Sequence, residues 1–213
     1  MKVYFISGLA ADSRVFKYIQ LPANCEAVHL HWIDPLKNES LQNYSLRLAE
    51  KIDVTEPFSI IGLSMGGMIA SEISHKLNPA ITILISSIPS SKHLPFYFKI
   101  GGKLKLHKAI PIWLVKSAAL AKRFFTSESG DDKMTIKQII KDSDANFIHW
   151  AMDAIVKWKN EIPPASYIHI HGTKDEMLPI RFVKPTHIIP KAGHLMVMTN
   201  AKQLNEILSE VLA

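Results

Sequence analysis

Apolar runs alternate with helical periods along this chain. Residues 2–7 (KVYFIS), 26–32 (EAVHLHW), 58–63 (FSIIGL), 80–87 (AITILISS), 166–172 (SYIHIHG) and 184–190 (KPTHIIP) are short and apolar. The first is closed by Gly8 and the second by Asp34-Pro35. The pattern predicts six strands. Between them, residues 40–52 place Leu41, Tyr44, Leu48 and Ile52 at helical spacing behind Ser40, a residue type suited to an N-cap. Residues 65–77 read as a helix closed by Asn78-Pro79, and residues 200–213 put Leu204, Ile207, Leu208, Val211 and Leu212 on one helical face. Strands alternating with helices imply an α/β fold: a mostly parallel six-stranded sheet with helices on both faces.

Residues 89–160 break that alternation. They hold no convincing strand, and residues 111–125 and 133–158 look helical with interruptions. The segment reads as a helical cap inserted into a single domain spanning residues 1–213. Its ends are expected near the carboxyl ends of strands, where open α/β sheets bind ligands.

Composition narrows the class. With 47% hydrophobic and 21% charged residues, a chain of 213 residues suits one globular core. No apolar run is long enough to span a bilayer, and the N-terminal one is too short for a signal peptide. The single cysteine, Cys25, excludes an intrachain disulfide and suits a reducing compartment, so a cytoplasmic location is expected. The net charge of +6 is unevenly spread. No acidic residue lies between Glu72 and Glu128, whereas Lys76, Lys92, Lys99, Lys103, Lys105, Lys108, Lys116, Lys122 and Arg123 do.

The candidate chemistry begins at Gly62-Leu63-Ser64-Met65-Gly66, between a strand and a helix. In a G-x-S-x-G turn the small neighbours leave room for strained torsions that expose the serine hydroxyl at a helix N-terminus, where developing negative charge is favoured. A neutral serine is a poor nucleophile and needs a base oriented by an acid. The loop HGTKDEMLP (171–179) after the fifth strand offers Asp175, with Glu176 as the adjacent competitor. KAGHLMV (191–197) after the sixth offers His194. A serine that merely caps its helix, and an aspartate that merely shapes a turn, are the simpler alternatives.

With GLSMGG (62–67), HGTKDEMLP and AGHLMV (192–197) in that order, each at a strand end, the chain resembles the α/β-hydrolase fold superfamily over nearly its whole length. The resemblance implies Ser64 as nucleophile, His194 as general base and then acid, and Asp175 as the orienting acid. The backbone N–H groups of Met65 and Leu9 would form the oxyanion hole. SGLAADSRVF (7–16) is similar to the family's loop after an early strand, but Ser7 stands where the family usually has histidine. The one or two strands that usually precede this loop are absent, which implies the order 2-1-3-4-5-6.

The expected activity is that of a serine hydrolase acting on a small-molecule ester or thioester through an acyl-enzyme, with no cofactor. Phe96, Phe98, Ile112, Trp113 and Phe125 in the cap suggest an apolar acyl pocket, with Phe96, Trp113 and Phe125 the candidates for substrate contact. A lyase of the same fold that uses the serine–histidine pair as base on an anionic substrate, or a non-catalytic binding protein, are the rivals. No H-E-x-x-H motif occurs and only one cysteine is present, so no metal site is expected. The other histidines, His169 among them, read mostly as structural; His171, before Gly172 in the acid loop, reads at most as a support behind the site.

The basic segment has three readings. The simplest is a cap with an apolar inner and a lysine-rich outer face that needs no charged partner. Binding of an anionic substrate and contact with a membrane through residues 94–115 are the others, neither being favoured over the simplest. Nucleic acid is not expected, and the oligomeric state is left open.

Overall fold

The inner strands are built from residues that suit burial on both sides. The computed structural model describes residues 1–116 and 130–213. It places Lys2–Ile6 (β1), Glu26–His29 (β2), Phe58–Leu63 (β3), Thr82–Ile85 (β4), Tyr167–Gly172 (β5) and His187–Ile189 (β6) in one sheet of order β2-β1-β3-β4-β5-β6. Every pairing is parallel. β3, at the third position, is buried along all six of its residues. Sheet order and strand positions agree with the sequence reading; several strands are shorter by one to four residues at their ends, where pairing stops.

Alternate side chains of β1, β3 and β4 feed opposite cores, as the period of two requires. Tyr4, Ile6, Ile60 and Leu84 join Leu41–Ala49 (α1), Met65–Leu77 (α2) and Ala145–Val156 on one face. Val3, Phe5, Ile61, Ile83 and Ile85 join Gly130–Asp142 and the C-terminal helix Ala201–Val211 on the other.

The described part of the segment between β4 and β5 is helical: Phe96–Lys103 (α3), Ile112–Val115 (α4), Gly130–Asp142 (α5) and Ala145–Val156 (α6). It leaves from the C-terminal end of β4 but returns to the N-terminal end of β5, so only one of its ends lies where both were expected. The helical reading of residues 133–158 resolves into two helices because Asp144 caps α6, its side chain accepting from the Phe147 N–H at 2.7 Å. α3, which the pattern did not predict, buries none of its side chains completely.

α5 and α6 do more than overlie the sheet. Ile136, Ile139 and Ile140 of α5 and Phe147 and Ala151 of α6 enter the two cores. Trp158, just after α6, donates its indole N–H to Glu72 of α2 at 2.5 Å. The remaining helices, Met196–Thr199 (α7) and Ala201–Val211 (α8), close the chain.

Candidate active site

Ser64 joins β3 to α2 with φ 54° and ψ −119°. Such a backbone costs a residue bearing a side chain on the order of 1–3 kcal/mol and persists only where its surroundings hold it. Close approach explains the flanking glycines. A Cβ on Gly62 would fall 2.3 Å from the Gly66 carbonyl oxygen, and one on Gly66 would fall 2.2 Å from that of Ile6. The turn is tied by the Ser64 N–H donating to Ile85 and by the Gly67 N–H donating to Ser64, both at 3.0 Å. Ser87 adds a hydroxyl donating to the Ser64 carbonyl at 2.6 Å. Ser87 belongs to no motif; its sole sequence signal is its place two residues past β4.

His194, between β6 and α7, sets Nε2 2.9 Å from Ser64 Oγ and Nδ1 2.8 Å from Asp175 Oδ2. A carboxylate can only accept, so Nδ1 carries the proton and Nε2 is left to accept from the serine. Asp175 Oδ1 in turn accepts from the N–H groups of Met177 at 3.0 Å and Leu178 at 2.9 Å. Burial works to raise this carboxyl's pKa, but His194 and these hydrogen bonds outweigh it and hold the group below the ordinary carboxylate range. The neighbouring Glu176 is exposed.

Beneath Asp175 lies a pair of histidines, of which the sequence placed His171 at most behind the site and His169 as structural. His171 donates Nε2–H to the Leu178 carbonyl at 2.7 Å, and that same nitrogen lies 3.5 Å from Asp175 Oδ2. Its Nδ1 then accepts from His169 Nε2–H at 3.2 Å. Burial lowers both imidazoles, His169 to about 3 with His171 beside it adding to the effect, so both stay neutral donors. The His171–Leu178 bond closes the loop that carries Asp175. The sequence signal was the i, i+2 pair of histidines on one face of β5.

Leu9 and Met65 lie where two backbone donors could meet at Ser64. Met65 is the first residue of α2, so its N–H has no acceptor within the helix. A Cβ on Gly8 would lie 3.8 Å from Ser64 Oγ, which sets the Gly8–Leu9 backbone against the hydroxyl. Ala10, at φ 54°, turns the chain away. Ser7, at the position of the missing histidine, donates its hydroxyl to the Ala11 carbonyl at 3.0 Å, and Trp32 donates its indole N–H to the same oxygen at 2.8 Å. The loop is thus held by other donors.

Ser64 and His194 open on a cavity of about 260 Å³ lined chiefly by apolar side chains, among them Met68, Leu94, Phe98, Met152 and Ile155. Tyr97 and His107 add polar atoms; His107 Nε2 is paired with Asp153 at 2.9 Å. Of the expected pocket residues, Phe98 lines this cavity and Ile112 begins α4. Phe96 and Trp113 are exposed by 61% and 68% and do not line this cavity, because they sit on the outward sides of α3 and α4. Phe125 lies outside the described residues. Among the described residues, no cluster of three or more His, Cys, Asp or Glu is placed to hold a metal ion.

The sequence profile of the Alpha/beta hydrolase family matches residues 3–207. No curated protein matches the chain. Among solved structures, an esterase from Exiguobacterium antarcticum is similar with a TM-score of 0.75 at 15% identity, over 98% of this chain and 90% of that one. A thermophilic esterase from Thermogutta terrifontis is similar with a TM-score of 0.73 at 17% identity, over 100% and 89%. An N-acyl homoserine lactonase complexed with N-hexanoyl homoserine gives 0.72 at 14%, over 99% and 88%. At such identities the likeness establishes the fold alone.

Proposed function

The chain belongs to the alpha/beta hydrolase family, and from that premise we propose that it hydrolyses carboxylic esters or thioesters of small to medium apolar acyl groups through an acyl-enzyme on Ser64. The observation that carries this reading is the hydrogen-bonded series Asp175–His194–Ser64 at the mouth of an apolar cavity. Ser64 Oγ attacks the acyl carbonyl as His194 Nε2 takes its proton. The oxyanion is met by the N–H groups of Met65 and Leu9, each such donor being worth roughly 10²–10³ in rate. His194 then gives the proton to the leaving alcohol or thiol. Water, activated by the same imidazole, releases the acid and restores the serine.

The cavity bears on the substrate. Its volume lies below the usual range for drug-sized ligands, roughly 300–1,000 Å³, which suits a modest acyl chain. Its described lining contains no lysine or arginine, which speaks against the lyase reading with an anionic substrate.

Labelling by a fluorophosphonate probe, read by intact mass, tests the assignment. The wild type should gain one adduct and Ser64→Ala none. Equal labelling of the two, or labelling of neither, would sink it. A transient acyl adduct on the wild type with a slow ester separates acyl transfer from proton abstraction.

His171 should act as a positioning residue. His171→Phe keeps a ring of similar bulk but removes the donor to Leu178, freeing the Asp175 loop and leaving a buried carbonyl unmet. The expected result is a loss of about 1–3 kcal/mol of stability. Alongside it, kcat should fall about tenfold with little change in KM, because the loss falls on the orientation of His194 rather than on the acyl pocket. An unchanged kcat in a folded variant would remove His171 from this role.

A further inference from the structure

The outward face of α3 and the residues that follow it are built against the ordinary rule for a surface helix, whose apolar stripe faces the core. Phe96, Ile100 and Leu104 recur at every fourth residue, so they share one side, and all three are exposed. The opposite side holds Phe98 and Gly102; a Cβ on Gly102 would fall 2.7 Å from Val156 Cβ, so this is the side packed on α6. Lys99 and Lys103 flank the outward stripe and are exposed too, as is Lys105 just beyond. Leu106, Trp113 and Leu114 extend the apolar surface, Trp113 at 68% exposure. The simplest expectation for this segment, apolar inside and lysine outside, is met by Phe98 and the lysines but does not account for the apolar stripe that α3 also turns outward.

We propose that this face is a docking surface for an anionic lipid bilayer, seating the mouth of the cavity on the membrane. Charge selects the occupant. The sequence contains no acidic residue from position 73 to 127, so the patch presents lysines without a carboxylate of its own segment among them. A second copy docked through the same patch would set lysine against lysine, since a twofold interface meets itself. An anionic headgroup layer satisfies the lysines while the acyl boundary takes the apolar stripe, the arrangement of an interfacial helix. Trp113 and the Phe96–Tyr97–Phe182 aromatic cluster, with Arg181 5.0 Å from the Phe182 ring, have the amphipathic character that residues at a lipid–water boundary show. Among the described residues no helix is long and apolar enough to cross a membrane, so the contact is one of surface seating.

Place links the surface to the cavity. Tyr97, Leu106 and Ile110 are exposed and also line the cavity that holds Ser64. An apolar ester partitioned into the bilayer would reach that opening without crossing bulk water. This link rests on the proposed hydrolase activity, whereas the docking itself does not.

Co-sedimentation with vesicles decides the matter. At low salt the protein should bind vesicles of phosphatidylcholine and phosphatidylglycerol at least about tenfold more tightly than vesicles of phosphatidylcholine alone. Added salt should weaken that binding. The double variants Ile100→Ser/Leu104→Ser and Lys99→Glu/Lys103→Glu should each lose about tenfold or more. Their circular dichroism, and their turnover of a water-soluble ester, should not change, because the replaced side chains are exposed and lie outside the cavity lining. Ser64→Ala should bind vesicles like the wild type, so a failed nucleophile assignment would leave this result standing. No binding to anionic vesicles at low salt would overturn the proposal. So would equal binding by both double variants, or a dimer in sedimentation that Ile100→Ser/Leu104→Ser dissociates while no vesicle binds.

Discussion

Replacing Ser64 by alanine is expected to cut ester turnover by a factor on the order of 10⁶ while leaving the fold intact. Ser64 Oγ is hydrogen-bonded to His194 Nε2, so its loss removes the proposed reacting atom while the backbone bonds that tie the turn remain. A residual rate above the uncatalysed one, roughly 10³–10⁴, should remain from the oxyanion donors and substrate binding. His194→Ala should fall about as far, and the double variant no further, because the two groups act as a unit. The backbone supplies an independent check. Alanine keeps the cost of φ 54°, whereas glycine relieves it. Ser64→Gly should thus be as inactive as Ser64→Ala yet more stable by about 1–2 kcal/mol, net of the extra freedom glycine has when unfolded. Thermal or denaturant unfolding of the two variants measures that difference. Equal stability would mean the turn is not strained, and retained turnover in Ser64→Ala would remove the nucleophile.

Asp175→Asn should lower kcat by about 10⁴ through the wrong imidazole tautomer. The asparagine has no free choice of orientation. Met177 and Leu178 both aim N–H groups at Oδ1, so the amide oxygen must stay there. Its NH₂ group then takes the place of Oδ2, facing His194 Nδ1, and a donor at that point forces Nδ1 to accept. Nε2 would carry the proton and could no longer take one from Ser64. His171 Nε2–H, 3.5 Å from the same position, adds a second donor facing a donor.

Stability against pH should change as well. The Asp175 carboxyl is held below its unfolded value of about 3.8, so its ionised form favours the folded state. That contribution is fully present above about pH 3.8 and is lost as pH falls through the lower, folded value. The asparagine variant should lack this part of the acid limb. Kinetics on a soluble ester together with unfolding from neutral to acid pH test both statements. A fall in kcat of less than about tenfold would mean that the carboxylate does not set the tautomer.

Most of what positions Ser64 was legible in the chain because it depends on local sequence. The β-branched runs and their punctuation mark the strands, and Gly62 and Gly66 mark the turn at once, since only glycine tolerates backbone oxygens at the distances found there. Asp175 and His194 could be picked out because each follows a strand, and all parallel strands end at the same edge of the sheet. Other features depend on contacts whose partners the sequence pattern does not name. Ser87 reaches the Ser64 carbonyl from the next strand, Trp32 braces the Leu9 loop from beyond β2, and His171 closes the Asp175 loop through Leu178.

Aromatic content did not say which of the cap's aromatic residues turn inward. Phe96 and Phe98 stand two residues apart on α3, about 200° around the helix axis. Phe98 lines the cavity and Phe96 faces outward. Which side of α3 turns inward is decided by Gly102 letting α6 approach through Val156, a packing choice made between segments about fifty residues apart.

The sequence by itself determined the sheet, the turn and the order of serine, acid and histidine, because strand alternation and glycine requirements are properties of neighbouring residues. Only the tertiary structure decided which side chains line the cavity, what braces the reactive loops, and that α3 presents its apolar stripe and its lysines on the same outward face. Those outcomes depend on how helices pack against one another, and the hydrophobic period of a helix says that one side is apolar without saying where it points.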